Sequence, residues 1–196
     1  KVKLIHISTD FIFDGVSEKA YLESDDPNPL NIYGKSKLEG ELAVCAAMQK
    51  NAIIIRTSWL YSEYSNNFID TIIRKAQKFD EFSVVSDQYS SPTNASDLAK
   101  VIIQIINHNK FRNHDQLTQI YHYSSHGVCS WFEFAREILD LANIDCKVNP
   151  IETKGYLTAA RRPKYSFLNT DKIAKDFGLE IPFWKDSLKA SIDNLL

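Results

Sequence analysis

Two stretches of this 196-residue chain carry side chains whose types and spacing suit proton chemistry. The first is Ser8-Thr9-Asp10-Phe11-Ile12-Phe13-Asp14-Gly15, which sets a hydroxyl at the end of an apolar run. The second is Tyr33-Gly34-Lys35-Ser36-Lys37. On a helix, positions i and i+4 share one face, so Tyr33 and Lys37 stand side by side. A phenol with its ordinary pKa of ~10 is a poor acid at neutral pH. A neighbouring ammonium stabilises a phenolate and draws its proton exchange toward the working range. A threonine hydroxyl beside such a pair can hydrogen-bond a substrate oxygen and orient it. The set fits protonation of a carbonyl oxygen while hydride arrives at its carbon.

Tyrosine and lysine are common enough here that chance supplies about one Tyr-x-x-x-Lys, so the spacing alone reads as an exposed helix pair. Context gives it weight. A strand ending in Ser8-Thr9-Asp10 precedes the pair, Asn31 opens a helix around it, and a second strand ends in Arg56-Thr57-Ser58-Trp59. Strand ends followed by loops are where α/β sheets hold ligands.

The elements that must position these groups are legible from periodicity. Val2–Ile7 is apolar and β-branched and reads as a buried strand. The segment 31–48 carries Leu38, Leu42, Cys45 and Ala46 at helical spacing. The run Ala52–Ile55 reads as the next strand, so strand, helix and strand form a βαβ unit with a parallel sheet. Further on, the pattern predicts a helix over 67–79, a strand over 82–86, and a helix capped by Ser96 or Asp97 that runs to about 107. Then come a strand over 120–123 and a helix over 131–142, capped by Ser130 with Glu133 in the capping-box position. A short strand is expected over 147–151. A helix from Thr170 stops at Gly178, and Pro182 precedes a last helix over 184–195. The segments 17–29, 108–119 and 154–165 read as the mobile ones.

Composition excludes several function classes. A net charge of −2 with no Lys/Arg run speaks against a nucleic-acid partner. No apolar stretch reaches the roughly 18 residues a membrane span needs, and there is no signal peptide. Cys45, Cys129 and Cys146 lack metal or redox spacing and read as reduced thiols of a cytoplasmic protein. His6, His108, His114, His122 and His126 lack zinc-like companions, so no metal ligand is expected.

These residues resemble the extended short-chain dehydrogenase/reductase family, and within it the dTDP-4-dehydrorhamnose reductase branch. The resemblance continues in order through Arg56-Thr57-Ser58-Trp59-Leu60-Tyr61, Asn66-Asn67-Phe68, Ser83-Val84-Val85-Ser86-Asp87-Gln88-Tyr89, Pro92-Thr93, Ala160-Arg161-Arg162-Pro163 and Leu168-Asn169-Thr170. It implies an α/β fold: the C-terminal part of a Rossmann-like parallel sheet plus a small α/β substrate-binding domain. It divides the chain into a Rossmann-like part over 1–112, which carries the catalytic residues, and a mainly substrate-binding part over 113–196, the two interleaved.

By position, the resemblance implies catalytic roles for Thr9, Tyr33 and Lys37. It implies cofactor contacts from Ser8, Thr9, Tyr33, Lys37, Thr57 and Ser58. Substrate contacts would come from Thr9, Asp10, Tyr33, Trp59, Asn67 (or Asn66), Gln88 and Arg162. A guanidinium at 162 suits bidentate grip on a diphosphate. The implied reaction is NADPH- or NADH-dependent reduction of dTDP-4-dehydro-L-rhamnose, a 4-keto-6-deoxy nucleotide sugar, to dTDP-L-rhamnose. A homodimer is among the implied assemblies, and some relatives use Mg2+ at a dimer contact, for which no ligand set maps here.

Two departures shape the expectation. Dehydratases of the superfamily carry Asp-Glu after the threonine; here Asp10 is followed by Phe11, which cannot abstract a proton, so plain keto reduction is favoured. A glycine of the family's Asp-Gln-x-Gly-x-Pro-Thr tract is replaced in Asp87-Gln88-Tyr89-Ser90-Ser91-Pro92-Thr93. None of the 6 glycines forms a phosphate-cradling Gly-x-x-Gly-x-x-Gly turn. In the family that half precedes this segment, so this polypeptide alone is expected to hold NAD(P)H weakly and to be inactive. Two alternatives stand beside the reductase. One is a non-catalytic regulatory subunit of the methionine adenosyltransferase type; the other is a reductase or epimerase of a different nucleotide sugar.

Overall fold

A continuous β-branched run without polar alternation belongs in a sheet covered on both faces, and Ala52–Ile55 sits at the centre of one. The computed structural model describes residues 2–64, 66–112, 117–156 and 160–195. In chain order the elements are β1 (Leu4–Thr9), α1 (Ile32–Ala47), β2 (Ala52–Thr57), β3 (Leu60–Tyr61), α2 (Phe68–Lys78), β4 (Glu81–Val85), β5 (Tyr89–Ser90) and β6 (Thr93–Asn94). They continue with α3 (Ala95–Asn107), α4 (Asn109–Arg112), β7 (Gln119–His122), β8 (Cys129–Ser130), α5 (Trp131–Leu141), β9 (Lys147–Ile151), α6 (Asp171–Phe177) and α7 (Trp184–Leu195). The fold is α/β.

The central sheet has the order β1-β2-β7 and is parallel throughout. Leu4 pairs with Ala52 and Thr9 with Thr57, so the two strands end level. That register puts Thr9, which ends β1, and Ser58, which follows β2, at the same carboxyl end of the sheet. A parallel pair needs a crossover connection, and α1 supplies it. One face of this sheet packs Ile53, Ile55 and Tyr121 against Leu98, Val101 and Ile105 of α3 and Ile173 and Phe177 of α6. A second core joins α2, α5 and α7 to β4. Its centre is Ile69, Ile72, Phe134, Ile138, Trp184 and Leu188, all nearly or wholly withdrawn from solvent. A small third cluster of Ile12, Phe13, Tyr21 and Leu168 closes over the segment after β1.

Two expectations are corrected, and one helix packs in a way its spacing did not indicate. Asn94 caps α3, not Ser96 or Asp97: its Oδ1 accepts from Ser96 N at 2.6 Å and Asp97 N at 3.4 Å. The helix begins at Ala95, which leaves Ser96 and Asp97 inside the first turn. Helix α1 is not buried along an apolar stripe; of its residues only Gly34 and Glu41 are fully buried, and Leu42 and Ala46 face solvent. The segment 17–29 is tied down. Tyr21 stacks on Phe13 with centroids 4.2 Å apart, receives hydrogen bonds from Gly15 N and Ser17 N, and bridges to Leu168. Within the other two segments read as mobile, and at His114, residues 113–116 and 157–159 lie outside the described residues. The pairs β3–β6 and β5–β8 are two residues a strand, too short to show a period in sequence.

Candidate active site

Helix α1 is set on the sheet by one polar face. Asn31 caps it by accepting from Gly34 N at 2.8 Å, and its amide donates to Arg161 O at 2.8 Å. Gly34 permits a close approach: a Cβ there would lie 2.1 Å from the carbonyl oxygen of Phe11. One turn on, Lys37 Nζ donates to Ile7 O at 2.6 Å. A further turn on, Glu41 takes a two-pronged bond from Arg56, with Nε–Oε1 at 3.0 Å and Nη2–Oε2 at 2.7 Å. Arg56 and Glu41 are each only 2 % exposed, so the pair is desolvated and compensated by geometry. Arg56 also lies over the Phe13 ring, and its Nη1 is 3.5 Å from His122 Nε2. Burial, with Arg56 close by, pushes His122 down to about 3, so it stays neutral and its Nδ1 faces Tyr21 O at 3.1 Å.

The end of β1 supplies the other half. Thr9 is the N-cap of a 3-10 turn over Asp10–Ile12; its Oγ1 accepts from Phe11 N at 3.2 Å and donates to Asp10 Oδ1 at 3.1 Å. Asp10 is buried and receives Ser166 Oγ at 2.5 Å on its other oxygen. Burial raises its carboxyl to about 7; the hydrogen bonds from Ser166 and Thr9 oppose that rise without cancelling it. Phe11 turns its ring edge-on to Tyr33, with centroids 5.9 Å apart. Tyr33 keeps 55 % of its surface exposed, so the phenol remains reachable.

These groups meet in one cavity of about 620 Å³. Ser8, Thr9, Asp10, Tyr33 and Lys37 line it from β1 and α1. Thr57, Ser58 and Trp59 line it from the end of β2, and Arg162 from the chain before β-bridge residue Tyr165. Its apolar wall is aromatic. Trp59 stacks on Trp131 with centroids 3.6 Å apart and planes at 12°, and Phe68 backs Trp131 at 4.5 Å. Trp59 takes a left-handed backbone, φ 45°, unusual for a bulky residue and a mark of functional sites.

Not every expected residue reaches the cavity. Asn67 caps α2, accepting from Ile69 N at 2.9 Å, and donates to Ser62 O at 2.6 Å. Gln88 is buried and donates to Thr153 Oγ1 at 3.0 Å. Neither is among the cavity's lining residues. Thr57 and Ser58 do line it, but their hydroxyls hold the 91–93 segment: Thr57 Oγ1 meets Thr93 Oγ1 at 3.2 Å and Ser58 Oγ meets Ser91 O at 2.7 Å. Ser8 differs, with a buried hydroxyl that has no hydrogen-bond partner among the described residues.

Some of the residues that build the site were not singled out by the sequence pattern. Trp131 and Ser166 lie far along the chain from β1 and carried no local signal. The Arg56–Glu41 pair did carry one, since a charge closing a run of isoleucines must find a buried partner.

The nicotinamide end of a dinucleotide fits what is present: the buried Ser8 hydroxyl has no partner among the described residues, and Thr9, Tyr33 and Lys37 share its cavity. Among the described residues no group of three or more His, Cys, Asp or Glu comes together to hold a metal ion. Nor is any described helix long and apolar enough to cross a membrane.

The chain is similar to known proteins over its whole length. Residues 1–196 match the family described as RmlD substrate binding domain. A dTDP-4-dehydrorhamnose reductase of Sinorhizobium fredii is 39% identical over 199 residues, covering 100% of this chain and 67% of that protein. The crystal structure of a dTDP-4-dehydrorhamnose reductase from Clostridium acetobutylicum superposes with a TM-score of 0.89 at 40% identity, over 98% of this chain and 66% of that one. That of Bacillus anthracis, in complex with NADP, superposes with a TM-score of 0.88 at 39% identity, over 99% and 66%. The chain thus spans about two thirds of the length of the curated relatives it matches. With the match running from end to end in both sequence and fold, the chain belongs to the RmlD substrate-binding-domain family.

Proposed function

We propose that this chain is the proton-donating and substrate-holding part of a nicotinamide-dependent reductase that converts dTDP-4-dehydro-L-rhamnose to dTDP-L-rhamnose in the cytoplasm. The observation that carries the reading is the meeting of Thr9, Tyr33 and Lys37 in one cavity beside an aromatic wall and an arginine. The relatives' names and the NADP of the Bacillus anthracis structure support it. NADPH or NADH supplies the hydride when bound; Ser8, Thr9, Tyr33 and Lys37 are the residues that would hold its nicotinamide end.

The remaining steps belong to the chain. The substrate's C4 carbonyl oxygen is held by Thr9 Oγ1, whose proton turns from Asp10 to that oxygen. The Tyr33 phenol donates the proton that makes the alcohol. Lys37, fixed on the Ile7 carbonyl, keeps a positive charge one helical turn from that phenol and stabilises the phenolate left behind. Trp59, stacked on Trp131, gives the sugar an apolar face and excludes water. Phe11, where a dehydratase would place a base, leaves the neighbouring C–H bonds untouched. Residues 1–112 bring the catalytic groups and most of the cavity's wall, and residues 113–196 add Trp131, Tyr156 and Arg162 to it.

The test is NADPH consumption by the protein at its full natural length, supplied with dTDP-4-dehydrorhamnose. Turnover should fall by about 100-fold or more in Tyr33→Phe while the fold is kept. A fully active Phe variant overturns the mechanism, and a wild type that binds NADPH but leaves this sugar unreduced overturns the substrate.

A further inference from the structure

One face of α2 forms a wall of the cavity. Phe68, Thr71, Ile72 and Lys75 all line it, and they fall at i, i+3, i+4 and i+7. Phe68 stands at the aromatic end, against Trp131. Lys75 lies two turns further on, roughly 10 Å along the helix axis. Its ammonium faces the Phe82 ring at 5.7 Å and has no carboxylate partner among the described residues. The other cations of α2 are not among this cavity's lining residues: Arg74 is engaged by Asp70 and Asn66, and Lys78 lies over the Phe79 ring at 5.5 Å.

The charge balance of the cavity is lopsided. Among the described residues, Lys37, Lys75 and Arg162 line it against a single carboxylate, Asp10. Asp10 already receives hydrogen bonds from Ser166 and Thr9, and with a pKa of about 7 it carries only part of a charge at pH 7. Lys37 is committed to the Ile7 carbonyl. Arg162, also without a carboxylate partner among the described residues, and Lys75 are left facing the space with nothing to neutralise them. A second cavity of about 290 Å³ shares Thr71 and Lys75 and adds Lys78 and the Asp70-paired Arg74, so cationic side chains continue along α2 beside the first. Such a potential draws anions inward.

In a nucleotide sugar reduced at C4, the anomeric oxygen that bears the diphosphate is across the ring. The diphosphate therefore extends away from Tyr33, beyond the aromatic wall on which the sugar rests. Lys75 lines the same cavity two helical turns from Phe68, which is the α2 residue in that wall. Resting on the nucleotide-sugar reading above, we propose that Lys75 is a diphosphate-binding residue that works with Arg162. An ammonium on a flexible stem gives a point-charge contact, complementary to the fork of a guanidinium. The bland role for Lys75, a stem packed on Phe82 with its charge in water, predicts no preference among ligands.

The experiment measures binding of dTDP and of thymidine to the protein at its full natural length, by calorimetry, for wild type, Lys75→Met and Lys75→Arg. The Met variant keeps the stem and removes the charge. It should weaken dTDP by about ten-fold, flatten the salt dependence of dTDP binding, and leave thymidine unchanged; the Arg variant should keep most of the affinity. Equal losses for dTDP and thymidine, or no loss for dTDP, overturn the proposal. A wild type that does not bind dTDP overturns the nucleotide-sugar reading itself, and the NADPH assay above reads that failure independently.

Discussion

Helices α1 and α5 are held in place by opposite means. Helix α5 buries Phe134, Ala135, Ile138 and Leu139 in the core shared with α2 and α7, and closes its N-terminus with a capping box. Helix α1 is longer, yet it is fastened by a glycine pressed on a carbonyl, a lysine on a strand carbonyl, and a buried glutamate on an arginine. Apolar burial is strong but non-directional, so it tolerates small slides of one element on another. Hydrogen bonds and ion pairs fix distance and angle. A helix that must present Tyr33 half in water, yet at a defined place over the end of β1, gains register from polar contacts that oil could not give. The proposed reaction rests on α1, and the stability of its neighbourhood on α5.

That contrast can be broken from either side. The largest effect is expected at Arg56. Arg56→Met leaves the Glu41 carboxylate buried and alone, and should cost about 3–5 kcal/mol in urea unfolding. Adding Glu41→Leu should recover much of the stability without recovering turnover, because an apolar pair lacks the direction of the ion pair. Recovery of both would make the anchor dispensable.

Ile138→Ala, on the apolar side, should cost about 2–5 kcal/mol by leaving a cavity in the second core. Its kcat should be nearly unchanged at temperatures where the protein stays folded. A fall in kcat as deep as that of Arg56→Met would erase the distinction between the two helices.

Asp10 sharpens the polar side through pH. Its folded-state pKa of about 7 is above the ordinary carboxylate value of 3.8, so the folded chain binds the proton more tightly than the unfolded chain. Stability from this group is then present at acid pH, declines as pH rises from about 4 to about 7, and stays lost above. Asp10→Asn removes the titration. The variant should gain on wild type across that window, by up to about 4 kcal/mol from the size of the shift. His122, held neutral at about 3, pulls the other way below its ordinary value of 6.5, so the difference between the two proteins, not either curve, isolates Asp10. A flat difference would place the Asp10 pKa near its ordinary value.

The smallest effects mark the edges of the comparison. Ser130→Ala removes the α5 cap, in which Ser130 Oγ accepts from Glu133 N at 3.1 Å, and should cost about 1 kcal/mol. Leu42→Ala, on the exposed side of α1, should shift stability by less than about 0.5 kcal/mol. A larger loss there would mean that the outer face of α1 is covered by something.

The chain of β1, α1 and β2 was legible because a βαβ unit is written in local periodicity: two β-branched runs flank one helical segment whose Asn31 cap is adjacent in sequence. Capping motifs were legible for the same reason, as with Ser130–Glu133 and Gly178. Helix α1 was legible as a helix from its apolar spacing, but which side it buries was not: Leu42 and Ala46 face solvent while Glu41 goes inside. The site divided likewise. Thr9, Tyr33, Lys37, Trp59 and Arg162 line one cavity, whereas Asn67 and Gln88, of equally suitable type, spend their amides on a cap and on Thr153.

By itself the sequence determined which groups can exchange protons, that they end a strand and open a helix, and that the strands run parallel. Those are short-range facts, set by side-chain chemistry and by steric rules spanning a few residues. Only the tertiary structure decided that Ser166 would reach Asp10, that Trp131 would stack on Trp59, and that Lys75 would face the same space as Arg162. Those meetings join residues separated by tens to more than a hundred positions. They arise from how helices settle on the sheet, and no local pattern encodes that packing.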